Sequence, residues 1–292
     1  MSPPVLFRSF KNFVLCIIVF GVISSFALIW GAQAKADQIS VLTGDPLKGK
    51  YLFRAGGCNS CHMGKNKKNP YQLGGGEEFK TPYGIFYAPN VSMSKKHGIG
   101  GWTYADFYRS LRVGKNPGGE HYYPAFPYTS YSKLKDEDIR DLWSFWKTLP
   151  EVETRSQPHA LTFPFQYRWT AGIWKALFWD KSYVGDGGTR STYLVEALGH
   201  CAECHTSRNR FGVLKRNQWM RGGPNPSGSG EIPGIHPKDL KWSKKEIIEY
   251  LSTGLTPDFD VAGGKMVSVI ENTSKLSAKD KALIADYLIN LR

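Results

Sequence analysis

Cys58-Asn59-Ser60-Cys61-His62 and Cys201-Ala202-Glu203-Cys204-His205 are the two stretches whose reading decides this chain. Both have the form C-x-x-C-H, the attachment pattern of c-type haem. The order follows from the chemistry. Two thiols add to the haem vinyl groups as thioethers, and the histidine directly after the second cysteine stands under the iron as its proximal ligand. With 5 cysteines and 7 histidines in 292 residues, random order gives such a string on the order of 0.002 times per chain. Two are far rarer. A zinc site or a thioredoxin-like redox pair also uses C-x-x-C, but neither calls for the trailing histidine twice. The expected cofactors are therefore two covalently bound haem c groups, attached at Cys58, Cys61, Cys201 and Cys204, with His62 and His205 on the irons.

The length gives room for two compact domains, one for each motif. The fifth cysteine, Cys16, lies in an apolar run, so no pair is left for a structural disulfide. A net charge of +13 suits nucleic acid, an anionic membrane or an acidic protein partner. No nucleic-acid-binding motif is present in the sequence, so nucleic acid is set aside and redox proteins are the expected partners.

Arg8 and Lys11 precede an uncharged run over residues 13–30, and Ala32-Gln33-Ala34 follows. Residues 1–34 read as a secretory signal peptide or, because the run is long for a signal and slightly short for a spanning helix, as a membrane anchor. A positive flank stays inside. Both readings place the rest of the chain in the periplasm, either free or anchored in the cytoplasmic membrane with the haem domains facing outward, and membrane association is expected.

Residues 44–150 read as a first domain. Asp45-Pro46 caps a helix over 47–55 that runs into Gly56-Gly57-Cys58, and 63–89 is a loop rich in Gly, Lys, Asn and Pro. A helix over 102–113 carries Trp102, Phe107 and Leu111 on one side and stops at Gly114. After a loop, a helix over 136–149 buries Ile139, Leu142, Trp143 and Trp146. Residues 189–292 repeat this order: 192–199 leads into Cys201, 242–252 matches the helix from Trp102, Gly254 matches Gly114, and Ser274-Lys275-Leu276 matches Ser132-Lys133-Leu134. The expected fold class is all-α, with two tandem class I-like cytochrome c domains. The linker over 151–188 holds Phe163, Phe165, Trp169, Trp174, Phe178 and Trp179. It reads either as a connector whose aromatics pack across both domains, or as a helix lying on a membrane surface or docking a partner.

The repeat also serves as a ruler for the distal ligands. Met266 lies twelve residues after Gly254, behind Gly263-Gly264 in a loop before the last helix, and is the expected distal ligand of haem 2. Twelve residues after Gly114 comes Phe126, which cannot bind iron. Haem 1 must therefore differ, with His121 as the leading candidate, an open site next, and His97 and Met93 behind. For His121 a hydrogen bond to a propionate or a carbonyl is the competing role. Arg208 and Arg210 are placed either to pair with propionates of haem 2 or to form a solvated basic loop. Lys65, Lys67 and Lys68 read as a cationic edge beside haem 1, for solubility or for docking an acidic partner.

From Gly44 onward the chain resembles the multihaem cytochrome c subunits of bacterial membrane-bound alcohol, aldehyde and gluconate dehydrogenases. The likeness is carried by Ala55-Gly56-Gly57-Cys58, Thr81-Pro82-Tyr83-Gly84, Gly98-Ile99-Gly100-Gly101-Trp102, Tyr123-Pro124-Ala125-Phe126-Pro127-Tyr128 and His205-Thr206-Ser207-Arg208-Asn209. The resemblance implies electron transfer from a membrane-associated dehydrogenase, or another respiratory donor, to a downstream respiratory acceptor, with substrate chemistry left to a separate subunit. Two departures stand out: the best-known members carry three haems, and they have Met where this chain has Phe126. The rival expectation is a dihaem redox enzyme, peroxidase-like or thiosulfate-oxidising, with an open haem 1 as its active site. A haem-based gas sensor lacks a recognisable output domain.

Overall fold

Capping residues set the helix boundaries. The computed structural model describes residues 44–64 and 69–292. The expected signal or anchor over 1–34, Cys16, Lys65, Lys67 and Lys68 lie outside the described residues. Asp45 accepts N–H bonds from Leu47 and Lys48, and Pro46 opens helix α1 (Pro46–Ala55) at a position that needs no N–H. Helix α2 (Cys58–His62) is the first motif itself. Two short strands follow, β1 (Glu78–Thr81) and β2 (Gly84–Tyr87). Helix α3 (Tyr104–Val113) starts on a capping box between Thr103 and Asp106 and stops at Gly114, whose φ of 62° is left-handed. A single turn, α4 (Tyr128–Tyr131), leads to α5 (Asp136–Trp146), whose first turn is acidic and whose inner face buries Ile139, Leu142, Trp143 and Trp146. Helix α1 crosses α5 so closely that a Cβ on Gly49 would fall 1.9 Å from the Asp141 carbonyl oxygen.

The connector contributes β3 (Ala160–Leu161) and α6 (Trp169–Phe178). In the second half, α7 (Arg190–Thr192) widens into a π turn, Tyr193–Leu198, ahead of the second motif in α8 (Ala202–His205). A two-stranded ribbon, β4 (Gly223–Pro224) with β5 (Glu231–Ile232), precedes α9 (Lys244–Thr253), α10 (Met266–Thr273) and α11 (Ala278–Ile289). Helix α9 repeats the architecture of α3: a Ser243–Glu246 capping box, then Gly254 with φ 81°.

The expectation of an all-α fold is overturned by the two sheets. Strands β1 and β2 form an antiparallel hairpin, Glu78 opposite Tyr87 and Thr81 opposite Gly84, and β3 adds to its edge with Gly84 opposite Leu161. Thr81-Pro82-Tyr83-Gly84 turns the corner, with the Thr81 hydroxyl donating to the Gly84 carbonyl at 2.8 Å. Residues 63–89 are thus not all loop. The strands are too short for their alternation to stand out, and the third comes from the distant connector, so its pairing cannot be seen locally.

One hydrophobic cluster includes residues of both halves, among them Phe53, Leu73, Ile139 and Trp143 from the first and Tyr193, Val195, Ile247 and Ile284 from the second. A smaller cluster of Phe86, Tyr123 and Ala171 joins the sheet to α6. Helix α6 is fixed by an unexpected residue, Lys175, which is buried. Its Nζ donates to the Val113 and Gly114 carbonyls at 2.6 and 2.9 Å, closing the C-terminus of α3, and stands 4.4 Å from the Tyr128 ring centre. Burial, with Lys115 and Lys181 nearby, lowers its pKa from the ordinary 10.5 to about 8. Between those values the unfolded chain holds a proton that the folded chain has released, so raising the pH through that window favours folding. Urea unfolding of the native chain and of Lys175→Met at pH 7.5 and pH 10 should therefore show the native chain gaining stability relative to the variant at the higher pH.

Candidate functional site

His62 ends α2 with its Nδ1 2.9 Å from the Pro89 carbonyl oxygen, and His205 ends α8 with its Nδ1 2.8 Å from the Pro233 carbonyl oxygen. A carbonyl only accepts, so Nδ1 carries the proton in both rings and Nε2 keeps its lone pair. Burial lowers both pKa values, which keeps the imidazoles neutral. A neutral ring with Nδ1 anchored and Nε2 free fits a proximal iron ligand. The backbone repeats as well: Gly75 N–H bonds to the His62 carbonyl as Gly222 N–H does to that of His205.

The four motif cysteines are free of disulfides. Burial pushes the thiols of Cys58 and Cys201 up to about 12 and that of Cys61 to about 11, and raises Cys204. All four sit as neutral thiols, the protonation state that addition across a vinyl group leaves as a thioether. Paired thiols beside a neutral histidine with a free Nε2 could hold a haem by thioethers at each motif.

Each half lies on the motif of the other. Ser60, inside the first motif, donates to the Ser268 carbonyl at 3.4 Å and accepts from Asn272 Nδ2 at 3.2 Å, both on α10. Glu203, at the same place in the second motif, accepts from Thr129 at 3.0 Å and Ser130 at 3.4 Å, both on α4. One further bond joins the motifs near their first cysteines, and a second, within the first half, meets it at the same carbonyl. The Gly56 carbonyl accepts from the Tyr131 hydroxyl at 3.2 Å and from His200 Nε2 at 3.3 Å. Lys265, ion-paired with Glu77, pulls down the thiols of both Cys61 and Cys204 against the larger effect of burial. The exchange is symmetric.

The distal segments superimpose in their bonding. Lys115 bridges His121 as Leu255 bridges Val261. Tyr122 N–H bonds to the Gly114 carbonyl as Ala262 N–H does to that of Gly254, each at 2.8 Å. Phe126 N–H reaches the Tyr123 carbonyl at 3.1 Å and Met266 N–H the Gly263 carbonyl at 3.2 Å. Phe126 thus occupies the position of Met266, with its ring against Tyr122 and Tyr131. Met266 itself opens α10 rather than sitting in a loop, and is partly buried against the core.

The remaining candidates are dispersed. The His121 ring lies under α6, where a Cβ on Gly172 would come within 3.1 Å of it, and its Nδ1 is buried without a partner. His97 Nε2 is 3.8 Å from Glu153, and Met93 packs partly buried on the core. Arg208 is committed to Glu203, with Nη2 to Oε2 at 2.5 Å, while Arg210 is exposed over the Phe211 ring. Burial raises the Glu203 carboxyl, but Arg208, His200 and Thr129 outweigh it and hold it below the usual carboxylate range. Sequence reasoning missed His200, Tyr131 and Glu203. Aligning the motifs could have found His200, since it stands where the first motif has Gly57 and keeps the left-handed backbone, φ 39° against 57°.

Comparison with known proteins agrees with this geometry. The cytochrome c family matches residues 47–150. A dihaem cytochrome c-type protein of Cereibacter sphaeroides is 47% identical over 263 residues, covering 88% of this chain and 89% of the relative. The fructose dehydrogenase cytochrome subunit of Gluconobacter japonicus is 34% identical over 253 residues, covering 82% of this chain and 51% of the relative. The cytochrome c subunit of the quinone-type alcohol dehydrogenase of Gluconobacter oxydans is 32% identical over 284 residues, 91% of this chain and 58% of the relative. The chain therefore spans little more than half the length of these two dehydrogenase subunits.

Proposed function

The chain belongs to the c-type cytochromes as a dihaem member carrying two covalently bound haem c groups, and on that premise we propose that it carries electrons in the periplasm from a membrane-associated dehydrogenase to a respiratory acceptor. The donor class is taken from relatives named as dehydrogenase subunits. When bound, the haems supply one-electron iron chemistry. Cys58 and Cys61 attach the first and Cys201 and Cys204 the second. His62 and His205 hold the proximal positions with their protons fixed on Nδ1 by Pro89 and Pro233. Met266, which opens α10 partly buried against the core, would supply the second protein ligand to the iron of haem 2. His121, with a buried ring nitrogen left unpaired, is the proposed distal ligand of haem 1. The leading run over residues 13–30, whether a signal or an anchor, delivers the rest of the chain to the periplasmic side.

The observation that carries this reading is the reciprocal seating of Ser60 on α10 and Glu203 on α4. It sets the two attachment motifs side by side, as passage of electrons between two centres needs. Low-temperature EPR of the oxidised holoprotein, with and without cyanide, tests it. Two low-spin signals that ignore cyanide support a carrier. A high-spin signal that shifts on adding cyanide puts an open iron at haem 1 and replaces the carrier with the enzyme reading, which Phe126 at the position of Met266 favours.

The same position yields a gain-of-ligand prediction. Phe126→Met sets a thioether at the place Met266 holds in the other half. Potentiometric titration of this variant should show the haem 1 midpoint moving up toward that of haem 2, since Met/His ligation raises the potential. An unmoved midpoint means that the two distal segments differ at the iron.

A further inference from the structure

Helix α6 is amphipathic in the inverted sense. Its inner face carries buried Ala171 and Lys175. Its outer face carries Trp169, Ile173 and Leu177, four residues apart and 59%, 52% and 68% exposed. Ala176 is exposed on the same arc, and exposed Phe163 and Tyr167 extend the surface into the turn before the helix. The rings of Tyr167 and Trp169 stack with centres 6.5 Å apart. Single apolar residues on a surface are ordinary, but a contiguous strip of large ones marks a contact surface. The strip is also held outward. Lys175 fastens the helix to the end of α3, Trp174 Nε1 donates to the Phe211 carbonyl at 2.7 Å, and Phe178 stacks on Phe211 at 5.5 Å.

The charges around the strip identify what covers it. Residues 154–179 contain no Asp or Glu; with Lys175 turned inward, their outward cations are Arg155 and Arg168, the latter 3.7 Å from Glu120. At the end of the helix, Lys181 stands 4.5 Å from the centre of the Trp179 ring and Arg210 4.8 Å from that of Phe211. The flanking acids Glu120 and Asp180 are already paired with Arg168 and Arg216. A helix with Trp and aliphatic residues on one side, no acid within it, and exposed Lys181 and Arg210 at its end matches the boundary of an anionic bilayer. There aromatic rings sit at headgroup level and cations meet phosphates. Among the described residues no helix is long and apolar enough to cross a membrane, so such a contact lies in the plane of the surface.

We propose that the outer face of α6, through Trp169, Ile173 and Leu177, rests on an anionic lipid surface and sets the orientation of the haem-bearing part against the membrane. This rests on the reading that the protein works at a membrane. The EPR experiment above addresses electron transfer separately, so the two can fail independently.

Hydroxyl-radical footprinting read by mass spectrometry tests it on the unaltered full-length holoprotein. The probes are vesicles of phosphatidylcholine alone and of phosphatidylcholine with phosphatidylglycerol. The expected result is a several-fold loss of labelling at Trp169, Ile173 and Leu177 with the anionic vesicles, a smaller loss with the neutral ones, and no change at exposed Phe259. A second measurement uses nitroxide labels at Ile173→Cys and Leu177→Cys in a Cys16→Ser background. Access of oxygen relative to a nickel chelate should rise on adding anionic vesicles, and should not rise for a label at Lys245→Cys. Labelling at all three residues that is the same with and without vesicles overturns the proposal. Protection that appears only in membranes containing a dehydrogenase also overturns it, and assigns the face to a protein.

Discussion

Replacing Met266 with alanine should lower the midpoint potential of the second haem by on the order of 0.1 V, a fraction of the ~0.8 V range that axial ligation commands. A thioether opposite a neutral histidine favours the reduced iron, and water or a vacant position in its place favours the oxidised one. Position and surroundings both support the assignment. Met266 follows the turn in which Ala262 N–H bonds to the Gly254 carbonyl, and it opens α10 partly buried against the core. Helix α10 is also seated on Ser60 of the first motif, so its backbone is held by the other half and should outlast the loss of one side chain. Potentiometric titration with optical detection resolves the two midpoints. The haem 1 midpoint should stay close to its starting value, because its own ligands are unaltered. If neither midpoint moves, Met266 is not a ligand.

Glu196→Ala should destabilise the protein by about 3–5 kcal/mol, the cost of breaking a buried, hydrogen-bonded charge network from one side. Glu196 is 1% exposed. Its carboxylate accepts from Val184 N–H at 2.8 Å, Gly185 N–H at 2.7 Å and the Tyr287 hydroxyl at 2.7 Å, with Lys133 Nζ at 3.9 Å. Those groups belong to the connector, the last helix and the first half, so one side chain in the π turn ties three segments together. Truncation leaves two amides and a hydroxyl buried without an acceptor. Lys133 is already lowered in pKa by burial, against the pull of Glu196, and loses the nearest opposing charge. Glu196→Gln keeps an acceptor oxygen and the shape, and should lose less than half as much. Urea unfolding of the two holoprotein variants, followed by tryptophan fluorescence, measures both losses. Equal losses would mean that the charge rather than the acceptor geometry dominates.

Much of the site was legible because its signals are local. The two C-x-x-C-H strings, the Asp45-Pro46 helix start, the stops at Gly114 and Gly254, and the matching of Phe126 to Met266 all depend on short spacings that survive without knowledge of the fold. The sheets were not legible. Strand β1 is four residues long, and β3 joins the hairpin from the connector, more than seventy residues away in the chain. The helix over 102–113 was placed almost correctly because its capping residues sit beside it. The stretch over 192–199 was legible only as the lead into Cys201; its π turn, Tyr193–Leu198, carries no local signal, and the partner of Glu196 on the last helix lies far off in the sequence.

The haem-attachment chemistry is written in local residue order. Covalent haem attachment needs a fixed order of cysteine and histidine, and ligand type is a property of single residues. How the two halves meet depends on the folded chain, which seats Ser60 on α10 and Glu203 on α4 and brings His200 to the Gly56 carbonyl. Only the tertiary structure decided that α6 turns its lysine inward and its Trp, Ile and Leu outward. The physical reason is the same in each case. Hydrogen bonds and burial between distant segments are set by which surfaces meet, and a buried amine that finds two helix-end carbonyls can fix a helix against its own hydrophobic pattern.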